Sequence, residues 1–571
     1  MFNPLIPKYL FNKFFPGLAS YVTALKRYLR NSIPIFYPKV FSQLKNILPG
    51  TNVNDKNKRK SKILIYATRQ DPLHITWDLI IGKACELRGQ DVSLIACDGL
   101  IQEACNERWY PELKTSLCKQ CFSFAKKFYA LADFQIDWLT NYLSDEHKDQ
   151  FIGKRTKIMQ REKAKDILKN IPFEKYNDFK YRDFPIGDLV RPSVCHFTRN
   201  ENIEMAGKHD FKVKEIYKNF LLNAIMMVDL VEKILNIKKP DIVFLINGLF
   251  MSEAIMIAWL KRKEIRYVVY ESGIMPDTMS FLHNQPIDYR ELDDWEVRKN
   301  KPLNKKEKQK LNEYINSRIV GTGQQQEYWK ASKEGEKYIK SKLDLDSFES
   351  IACLFPNVLF DSALFDKDNF FSSSKDWIRS TISFFSEHPN LGLLIRIHPA
   401  EIRWPQVHRD SIKTWIDDNY GKDLPQNIKV INASDTISSY KLMEIADLGL
   451  VSTSTTGMEM ALMGKTVIAT GDIYYRGRNF TIDPQSKEEY ILKLKEILID
   501  KKIPKVDVKI VELFAYHMFF ESSIGISSID SNNLRTIPPN IELSSYDQLL
   551  PGVDPNLDKI CDGIIYGKAF V

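Results

Sequence analysis

The stretch of sequence that decides the fold is LGLVSTSTTGMEMALMGKTVIA, residues 448–469. It contains an apolar run (Leu448–Val451), a hydroxyl-rich turn (Ser452–Thr455), a segment of helical length (Thr456–Met463) and, after a glycine, a second apolar run (Thr466–Ala469). Short apolar runs bounded by turn residues are typical of buried strands. Because a strand, a helix and a strand in succession form a βαβ unit, the stretch predicts part of a parallel sheet.

The same alternation extends toward the N-terminal side of this stretch. Further predicted strands are Ile351–Phe355, Leu393–Ile397 and Ile428–Ile431, with helices over about 375–387 and from about 438. We therefore predict a C-terminal Rossmann-like domain at residues 346–500 and a C-terminal extension at 501–571.

A second α/β series occupies residues 61–290. Its predicted strands are Ile63–Tyr66, Val92–Ala96, Ile242–Ile246 and Arg266–Tyr270, with helices over about 75–88, 216–237 and 252–262. Residues 106–215 have no clear strand pattern, and the Lys- and Glu-rich residues 291–345 predict a helical bridge. The predicted fold class is α/β, with two Rossmann-like domains that face a cleft.

Composition restricts the class of protein. The chain has 571 residues, of which 44% are hydrophobic and 27% are charged, as is usual for globular proteins. This excludes a disordered, a collagenous or a small disulfide-framework protein. The longest apolar runs are far shorter than the roughly 18 residues of a membrane span, and no signal peptide is visible, so we expect a cytoplasmic protein.

Residues 1–60 form a predicted basic, aromatic-rich N-terminal arm and linker. Residues 1–50 contain seven Lys or Arg and no Asp or Glu, and KRKSK at 58–62 extends the basic run. Such a segment suits an anionic membrane surface, here the inner face of the cytoplasmic membrane. It is equally consistent with an arm packed on the fold. Nucleic acid is not expected as a partner, because no recognised nucleic-acid motif accompanies the charge.

Four of the eight cysteines are clustered and end in a CxxC pair; they are Cys97, Cys105, Cys118 and Cys121. Such a cluster in a cytosolic chain can hold zinc or an iron–sulfur cluster. Its spacing matches no known metal module, and buried free thiols are the commoner outcome. We therefore expect no metal or other cofactor. The alternative is a metal site formed by these four cysteines.

Candidate functional residues follow from the rule that parallel sheets bind ligands beyond the carboxyl ends of their strands. In the C-terminal half, the helix start at Ser454, Thr455, Thr456 and Gly457 offers N–H groups and hydroxyls to a phosphate, although an ordinary N-cap needs the same residues. Glu459 in the first turn can accept from ribose hydroxyls or simply complement the helix dipole. The other strand-end candidates of this half are Asn357, Ser452, Arg396 and His398.

In the N-terminal half, Glu271 follows an apolar strand. A carboxylate there can act as a general base, with a pKa raised by partial desolvation, or it can be an ordinary capping or ion-paired residue. Asp71 and His74, in the first βα loop, compete for the role of the base.

The block Leu393–Asp483 resembles the bacterial capsule polysaccharide biosynthesis family, the GT-B type glycosyltransferases that include the capsule β-Kdo transferases. The matching elements are His398-Pro399, Ser452–Thr455, GMEM (457–460), GKTVI (464–468) and YYRGRNFT (474–481), with LFPNVLFDSALF (354–365) and DWIRSTI (376–382). Met460 stands where the family pattern has Ala, and the 474–481 element departs from a plain Y-x-x-x-G-F-T. The resemblance is thinner over residues 60–290.

The resemblance implies an inverting, metal-independent glycosyltransferase. Its donor is a nucleotide sugar, with a CMP-sugar favoured, and its acceptor is a surface polysaccharide or a lipid-linked glycan. By analogy, His398 and the Ser/Thr cluster bind the donor phosphate and Glu271 deprotonates the acceptor. Two alternatives stay open: a CDP-polyol phosphotransferase of the teichoic-acid type, which shares some of these motifs, and a non-enzymatic assembly scaffold.

Overall fold

A computed structural model describes most of the chain. The described residues are 44–45, 60–105, 116–132, 134–143, 150–203, 206–207, 210–287, 295–320, 335–359, 370–403, 411–529 and 541–571. The predicted basic arm, residues 1–60, lies outside them except at Leu44, Lys45 and Lys60.

The chain divides into two compact units. The N-terminal unit comprises Ser20–Thr198, Asn202–Asp288 and Ser522–Val571, and the C-terminal unit consists chiefly of Tyr289–Glu521. The described residues after position 521 therefore belong to the N-terminal unit.

The N-terminal unit is built on a six-stranded sheet with the order β3-β2-β1-β4-β5-β6. Its strands are β1 (Lys62–Ala67), β2 (Asp91–Ala96), β3 (Gln135–Trp138), β4 (Ile242–Ile246), β5 (Arg266–Ser272) and β6 (Met279–His283). The helices are α1 (Pro72–Leu87), α2 (Ser116–Tyr129), α3 (Gln150–Leu168), α4 (Ile186–Thr198), α5 (Phe211–Lys238) and α6 (Met251–Arg262), and the C-terminal segment adds Pro555–Tyr566.

Two features of this sheet were not predicted. β3 lies within residues 106–215, where no strand was expected. It is an edge strand of four residues, QIDW, and this short sequence contains no continuous apolar run. β6 runs antiparallel to β5, and Glu271 pairs with Ser280. The predicted strand ended at Tyr270, but β5 extends two residues further, to Ser272. The prediction that Glu271 follows the strand was therefore wrong, because Glu271 lies within it.

The C-terminal unit is built on a five-stranded, fully parallel sheet with the order β11-β10-β7-β8-β9. Its strands are β7 (Ser350–Phe355), β8 (Leu391–Arg396), β9 (Ile428–Ile431), β10 (Leu448–Val451) and β11 (Thr466–Ala469). The helices are α7 (Trp295–Arg298), α8 (Lys305–Ile319), α9 (Glu336–Lys342), α10 (Ser374–Ser386), α11 (Ala400–Arg403), α12 (Ile412–Asn419), α13 (Ser439–Ile445), α14 (Thr456–Leu462), α15 (Lys487–Leu498) and α16 (Val508–Tyr516).

Burial explains why these segments form central strands. Every residue of β4, β7 and β8 is buried, as expected for parallel strands covered by helices on both faces. The helices begin at side-chain caps: Asp71 caps α1, and Asn304 and Glu307 form a capping box at α8. The predicted fold class, α/β with two Rossmann-like sheets, is confirmed.

Each sheet has one topological switch point, where successive strands change side. In the N-terminal sheet, β2 and β3 lie on one side of β1, and β4 and β5 lie on the other. In the C-terminal sheet, β8 and β9 lie on one side of β7, and β10 and β11 lie on the other. Since ligands bind beyond the strand ends at such points, we expect ligands at the carboxyl ends of β1 and β4 and of β7 and β10.

None of the helices in the described part of the chain is long and apolar enough to cross a lipid bilayer.

Candidate functional site

Three neighbouring strands of the C-terminal sheet end in polar residues. β10 is followed by Ser452–Thr455, β7 by Asn357 and β8 by His398, and the three strands are adjacent in the sheet. Parallel strands end at the same edge, so the fold brings these predicted residues together at one edge that includes the β7/β10 switch point.

Asn357 ties this switch point together. Its Nδ2 donates to the carbonyl oxygen of Thr453 at 3.1 Å, and its Oδ1 accepts from the Thr453 N–H at 3.2 Å. Both the nitrogen and the oxygen of the Asn357 amide thus form hydrogen bonds with the backbone of Thr453, just after the neighbouring strand β10. This arrangement makes Asn357 a residue that positions the Ser452–Thr455 turn.

The ring of His398 has a defined tautomer. Its Nδ1 accepts the backbone N–H of Ala400 at 3.1 Å. An imidazole nitrogen that accepts a hydrogen bond carries no proton, so the ring proton of the neutral side chain is on Nε2. His398 therefore presents a donor, which is the polarity that a phosphate oxygen requires.

Arg396, the last residue of β8, is buried, with only 4% of its surface exposed. Its Nη1 donates to the carbonyl oxygen of Asn432, the residue after β9. The guanidinium thus links the ends of β8 and β9 and places a positive charge two residues before His398 along the chain.

The turn before α14 is packed by two tyrosines. The Tyr475 hydroxyl donates to the carbonyl oxygen of Ser454 at 2.6 Å, and the Tyr474 hydroxyl donates to Oγ1 of Thr455 at 3.2 Å. A Cβ on Gly457 would lie 2.2 Å from the Tyr475 hydroxyl, so any other residue there would have to displace the tyrosine. Ser454 Oγ also contacts Thr456 Oγ1 at 2.9 Å, as in a self-capped turn.

Glu459 is held in a buried ion pair. Its Oε1 accepts from Nε of Arg318, on α8, at 2.6 Å, and the two side chains are 5% and 13% exposed. Of the two roles that the sequence left open, this geometry favours the structural one, because the carboxylate joins α14 to α8. Sequence analysis missed Arg318, which carries no local signal within a helix rich in Lys and Glu.

At the carboxyl edge of the N-terminal sheet, both oxygens of Glu271 accept hydrogen bonds. Asn247 Nδ2 donates to Oε2 at 2.7 Å, and the Ser272 N–H donates to Oε1 at 2.8 Å. Nη2 of Arg69 lies 3.9 Å from Oε2. These contacts hold the carboxylate at the edge near the β1/β4 switch point, with one ion-pair partner and one orienting amide.

Arg69 is itself positioned by a second carboxylate, on α6. Its Nε donates to Oε1 of Glu253 at 3.1 Å, and Thr68 Oγ1 donates to the same atom at 3.0 Å. Glu253 is 1% exposed, and this burial raises its pKa above the usual range, against the opposing effect of the Arg69 charge. Arg69 and Glu253 were missed by the sequence analysis, although TRQD (68–71) directly follows the first apolar strand.

The two competing base candidates occupy other positions. The Asp71 carboxylate accepts the Leu73 N–H at 2.9 Å and so caps α1. His74 is 6% exposed and packs edge-on against the Tyr270 ring, with centroids 5.9 Å apart. Since Asp71 serves the helix and His74 packs in the interior, Glu271 is the better placed of the three.

One turn beyond His74, Asp78 is a buried carboxyl of the interior. The Tyr270 hydroxyl donates to its Oδ1 at 2.7 Å. Burial raises the pKa of Asp78 to about 7, against the opposing effect of this hydrogen bond. The interior of the N-terminal unit therefore contains an aspartate that stays protonated well above its ordinary range.

The four clustered cysteines do not form a metal site in this structure. All eight cysteines of the chain are free thiols. In the described residues, which include Cys97, Cys105, Cys118 and Cys121, no group of three or more His, Cys, Asp or Glu side chains is placed to hold a metal ion. Cys121 Sγ instead donates to Oε1 of Gln70 at 3.2 Å.

No protein-family profile matches the chain, and no curated protein matches its sequence. Among solved structures, it is similar to two KpsC proteins of Thermosulfurimonas dismutans. One is a beta Kdo 2,4 transferase (14% identity, 48% of this chain and 78% of that chain, TM-score 0.30), and the other is a beta Kdo 2,7 transferase (16% identity, 54% and 85%, TM-score 0.31). It is also similar to Anabaena Alr3699/HepE in complex with UDP-glucose (12% identity, 80% and 95%, TM-score 0.29).

The structural comparison thus returns beta Kdo transferases, the group that the block Leu393–Asp483 resembles in sequence. These matches describe a general likeness of fold. The function of the chain rests on its own residues.

Proposed function

We propose that the chain is an inverting glycosyltransferase that moves a sugar from a nucleotide-sugar donor, preferably a CMP-sugar, to a surface polysaccharide or lipid-linked glycan. The observation that supports this most is the polar edge of the C-terminal sheet. Three adjacent strands end there in a Ser/Thr turn, a bridging Asn357 and a His398 ring whose proton is on Nε2.

The C-terminal unit holds the donor. His398 donates from Nε2 to a phosphate oxygen, and the buried Arg396 charge makes the edge favourable for the negative charge that develops on the leaving nucleotide. The hydroxyls of Ser452–Thr455 supply further donors beside the switch point. Leaving-group stabilisation by these groups needs no metal ion.

The N-terminal unit activates the acceptor. Glu271 removes the proton from the acceptor hydroxyl as that oxygen attacks the anomeric carbon. The new glycosidic bond forms as the bond to the nucleotide phosphate breaks, so one displacement inverts the configuration. The hydrogen bond from Asn247 and the nearby Arg69 guanidinium hold the carboxylate in position.

The basic arm, residues 1–60, attaches the enzyme to the anionic inner face of the cytoplasmic membrane. Its excess of Lys and Arg with interleaved aromatic residues supports this part of the proposal. A peripheral location would bring the enzyme to lipid-linked acceptors.

A thermal-shift screen of the full chain against CMP, CDP, UDP and GDP tests the donor site, because a ligand that binds the native state raises its melting temperature. We expect a rise with CMP in the wild type, a smaller rise in His398→Ala and an unchanged rise in His388→Ala. His388 is a matched histidine that follows α10 and bonds the Phe384 carbonyl oxygen. A flat response to all four nucleotides would reject the donor site and favour a scaffold.

Incubation with candidate donors then tests the reaction. Transfer from a CMP-sugar, with inversion seen by NMR of the product, supports the proposal. Consumption of a CDP-polyol with release of CMP would replace it with the phosphotransferase.

A further inference from the structure

A pocket of about 470 Å³ lies at the opposite edge of the N-terminal sheet from Glu271. The strands β1, β2 and β3 begin there, and the end of α5 and the turn after β3 complete the walls. We call it the amino-edge pocket; its polar lining residues are Lys62, Asp91, Ser93, Gln135, Asp137 and Lys238, with Asn141 and Tyr142 from the turn.

The charges of the pocket are balanced within its own walls. Lys238 Nζ lies 2.5 Å from Oδ2 of Asp137, and the Tyr142 hydroxyl donates to the same oxygen at 2.8 Å. Lys62 and Asp91 stand in register on neighbouring strands. Two positive and two negative side chains line the pocket, so the formal charges of its lining sum to zero, and we expect a charged ligand to gain little from entering.

The remaining lining suits a neutral, polyhydroxylated ligand. Gln135 and Asn141 are exposed amides, and Ser93 is a half-buried hydroxyl. Gln135 Nε2 donates to Oδ2 of Asp137 at 3.2 Å, and its Oε1 can accept a hydrogen bond from a ligand. Leu64 and Ile237 add apolar wall. A sugar ring has the matching surface, with hydroxyls around its rim and C–H groups on its faces, and the volume falls in the range of about 300–1,000 Å³ that is usual for small-ligand sites.

We propose that the amino-edge pocket is a second saccharide-binding site, specific for a neutral sugar residue. The proposal that the ligand is part of the acceptor glycan rests on the proposed function. β1 has six residues, so at about 3.3 Å per residue the pocket lies about 20 Å from the edge that carries Glu271. A glycan of several residues could be held at the pocket by an older residue while its growing end is extended.

Binding of neutral sugars to the full chain tests the site. Methyl glycosides of glucose, galactose, mannose, N-acetylglucosamine and N-acetylgalactosamine are screened by saturation-transfer NMR, without donor, and any that bind are titrated by calorimetry. Two variants probe the pocket: Gln135→Ala with Asn141→Ala removes hydrogen-bonding groups, and Ser93→Phe fills the space. The matched control, Gln309→Ala with Asn419→Ala, changes two exposed amides of the C-terminal unit.

We expect at least one glycoside to bind the wild type. Its affinity should be about tenfold or more lower in both pocket variants and unchanged in the control. A lost hydrogen bond of about 1.4 kcal/mol corresponds to a tenfold loss of affinity. The proposal is overturned if no glycoside binds the wild type with a Kd below about 10 mM. It is also overturned if a folded Ser93→Phe, checked by circular dichroism, binds as well as the wild type.

The result is separable from the proposed function. Glu271→Gln should lower the rate of transfer by about 10²–10⁴ yet keep sugar binding at the pocket, because the two lie at opposite edges of the sheet. Sugar binding without any nucleotide binding would support the saccharide site and contradict the proposed glycosyltransferase. Transfer without sugar binding would support the glycosyltransferase and contradict the saccharide site. A role in holding the acceptor further requires that Ser93→Phe raise KM for a long acceptor and leave KM for a monosaccharide acceptor unchanged.

Discussion

Replacing Asp78 by asparagine is expected to remove a pH-dependent loss of stability from the N-terminal unit. In the folded chain, burial raises the pKa of Asp78 from 3.8 to about 7. The folded state therefore keeps a proton that the unfolded chain releases near pH 4. Between about pH 4 and pH 7 the folded state binds more protons than the unfolded state, so the free energy of unfolding falls as the pH rises.

The size of the effect follows from the two pKa values. The folded chain binds this proton about a thousandfold more tightly than the unfolded chain, which at 1.4 kcal/mol per factor of ten is about 4 kcal/mol. The stabilisation is fully present below pH 4 and is lost above about pH 7. The amide of the Asp78→Asn variant has no proton to lose, so the stability of the variant lacks this component at every pH.

Hydrogen exchange of the peptides of α1 (Pro72–Leu87) measures the stability of this unit within the full chain. Wild type and Asp78→Asn are compared at equal pH from 5 to 8.5, so that the intrinsic exchange rates cancel. Because part of the roughly 4 kcal/mol is already lost at pH 5, we expect the wild type to lose about 3 kcal/mol of protection relative to the variant across the series. Any constant offset from the changed hydrogen bond to Tyr270 does not affect this slope.

Two controls sharpen the result. Asp417→Asn changes an exposed aspartate and should leave the pH dependence of α1 unaltered. Tyr270→Phe removes the hydroxyl that lowers the pKa of Asp78, so the loss of protection should move to higher pH. Parallel curves for wild type and Asp78→Asn would refute the reasoning, because a carboxyl that titrates normally contributes no difference in this range.

Four other outcomes are expected. His398→Ala should weaken nucleotide binding about 10- to 150-fold by calorimetry, as for a lost charge-assisted hydrogen bond, and unchanged affinity would reject its role. Glu271→Gln should lower turnover by about 10²–10⁴ with donor affinity retained, and near-normal turnover would move the base elsewhere. Gly457→Ala should lower the melting temperature, since its Cβ would meet the Tyr475 hydroxyl at 2.2 Å, and Tyr475→Phe should recover part of the loss; an unchanged melting temperature contradicts the packing argument. Deleting residues 1–50 should reduce co-sedimentation with anionic vesicles, most strongly at low salt, and equal sedimentation of both forms would make the arm structural.

Central strands could be predicted from the sequence because burial on both faces leaves an unmistakable apolar run. β4, β9, β10 and β11 have the predicted bounds, and the bounds of β1, β2, β5, β7 and β8 differ by one or two residues at one or both ends. The strand-end rule then located Asn357, His398 and the Ser452–Thr455 turn at one edge. These are local patterns combined with one general property of parallel sheets.

Long-range partners could not be predicted in this way. Arg318 meets Glu459 across 141 residues, and Arg69 meets Glu253 across 184 residues. An arginine in a charged helix or loop has the same local pattern whether it faces solvent or a buried carboxylate. The edge strand β3 was not predicted because its local pattern is equally uninformative. It is four residues long and only partly buried, so it has no continuous apolar run.

The two elements that depart from the motif resembled by the sequence are both packed against neighbours in the C-terminal unit. Met460 replaces the expected alanine of α14, and a Cβ on Gly449 of β10 would lie 2.5 Å from its sulfur. The Met460 side chain on the helix thus occupies the space that glycine leaves on the strand. In the 474–481 element, Arg476 donates to the Ala469 carbonyl oxygen at 2.6 Å and so ties the altered loop to the end of β11. The loop then places Tyr475 on the Ser454 carbonyl oxygen. A residue larger than Gly449 would have to displace the Met460 sulfur, so the sizes of these two residues on neighbouring elements depend on each other.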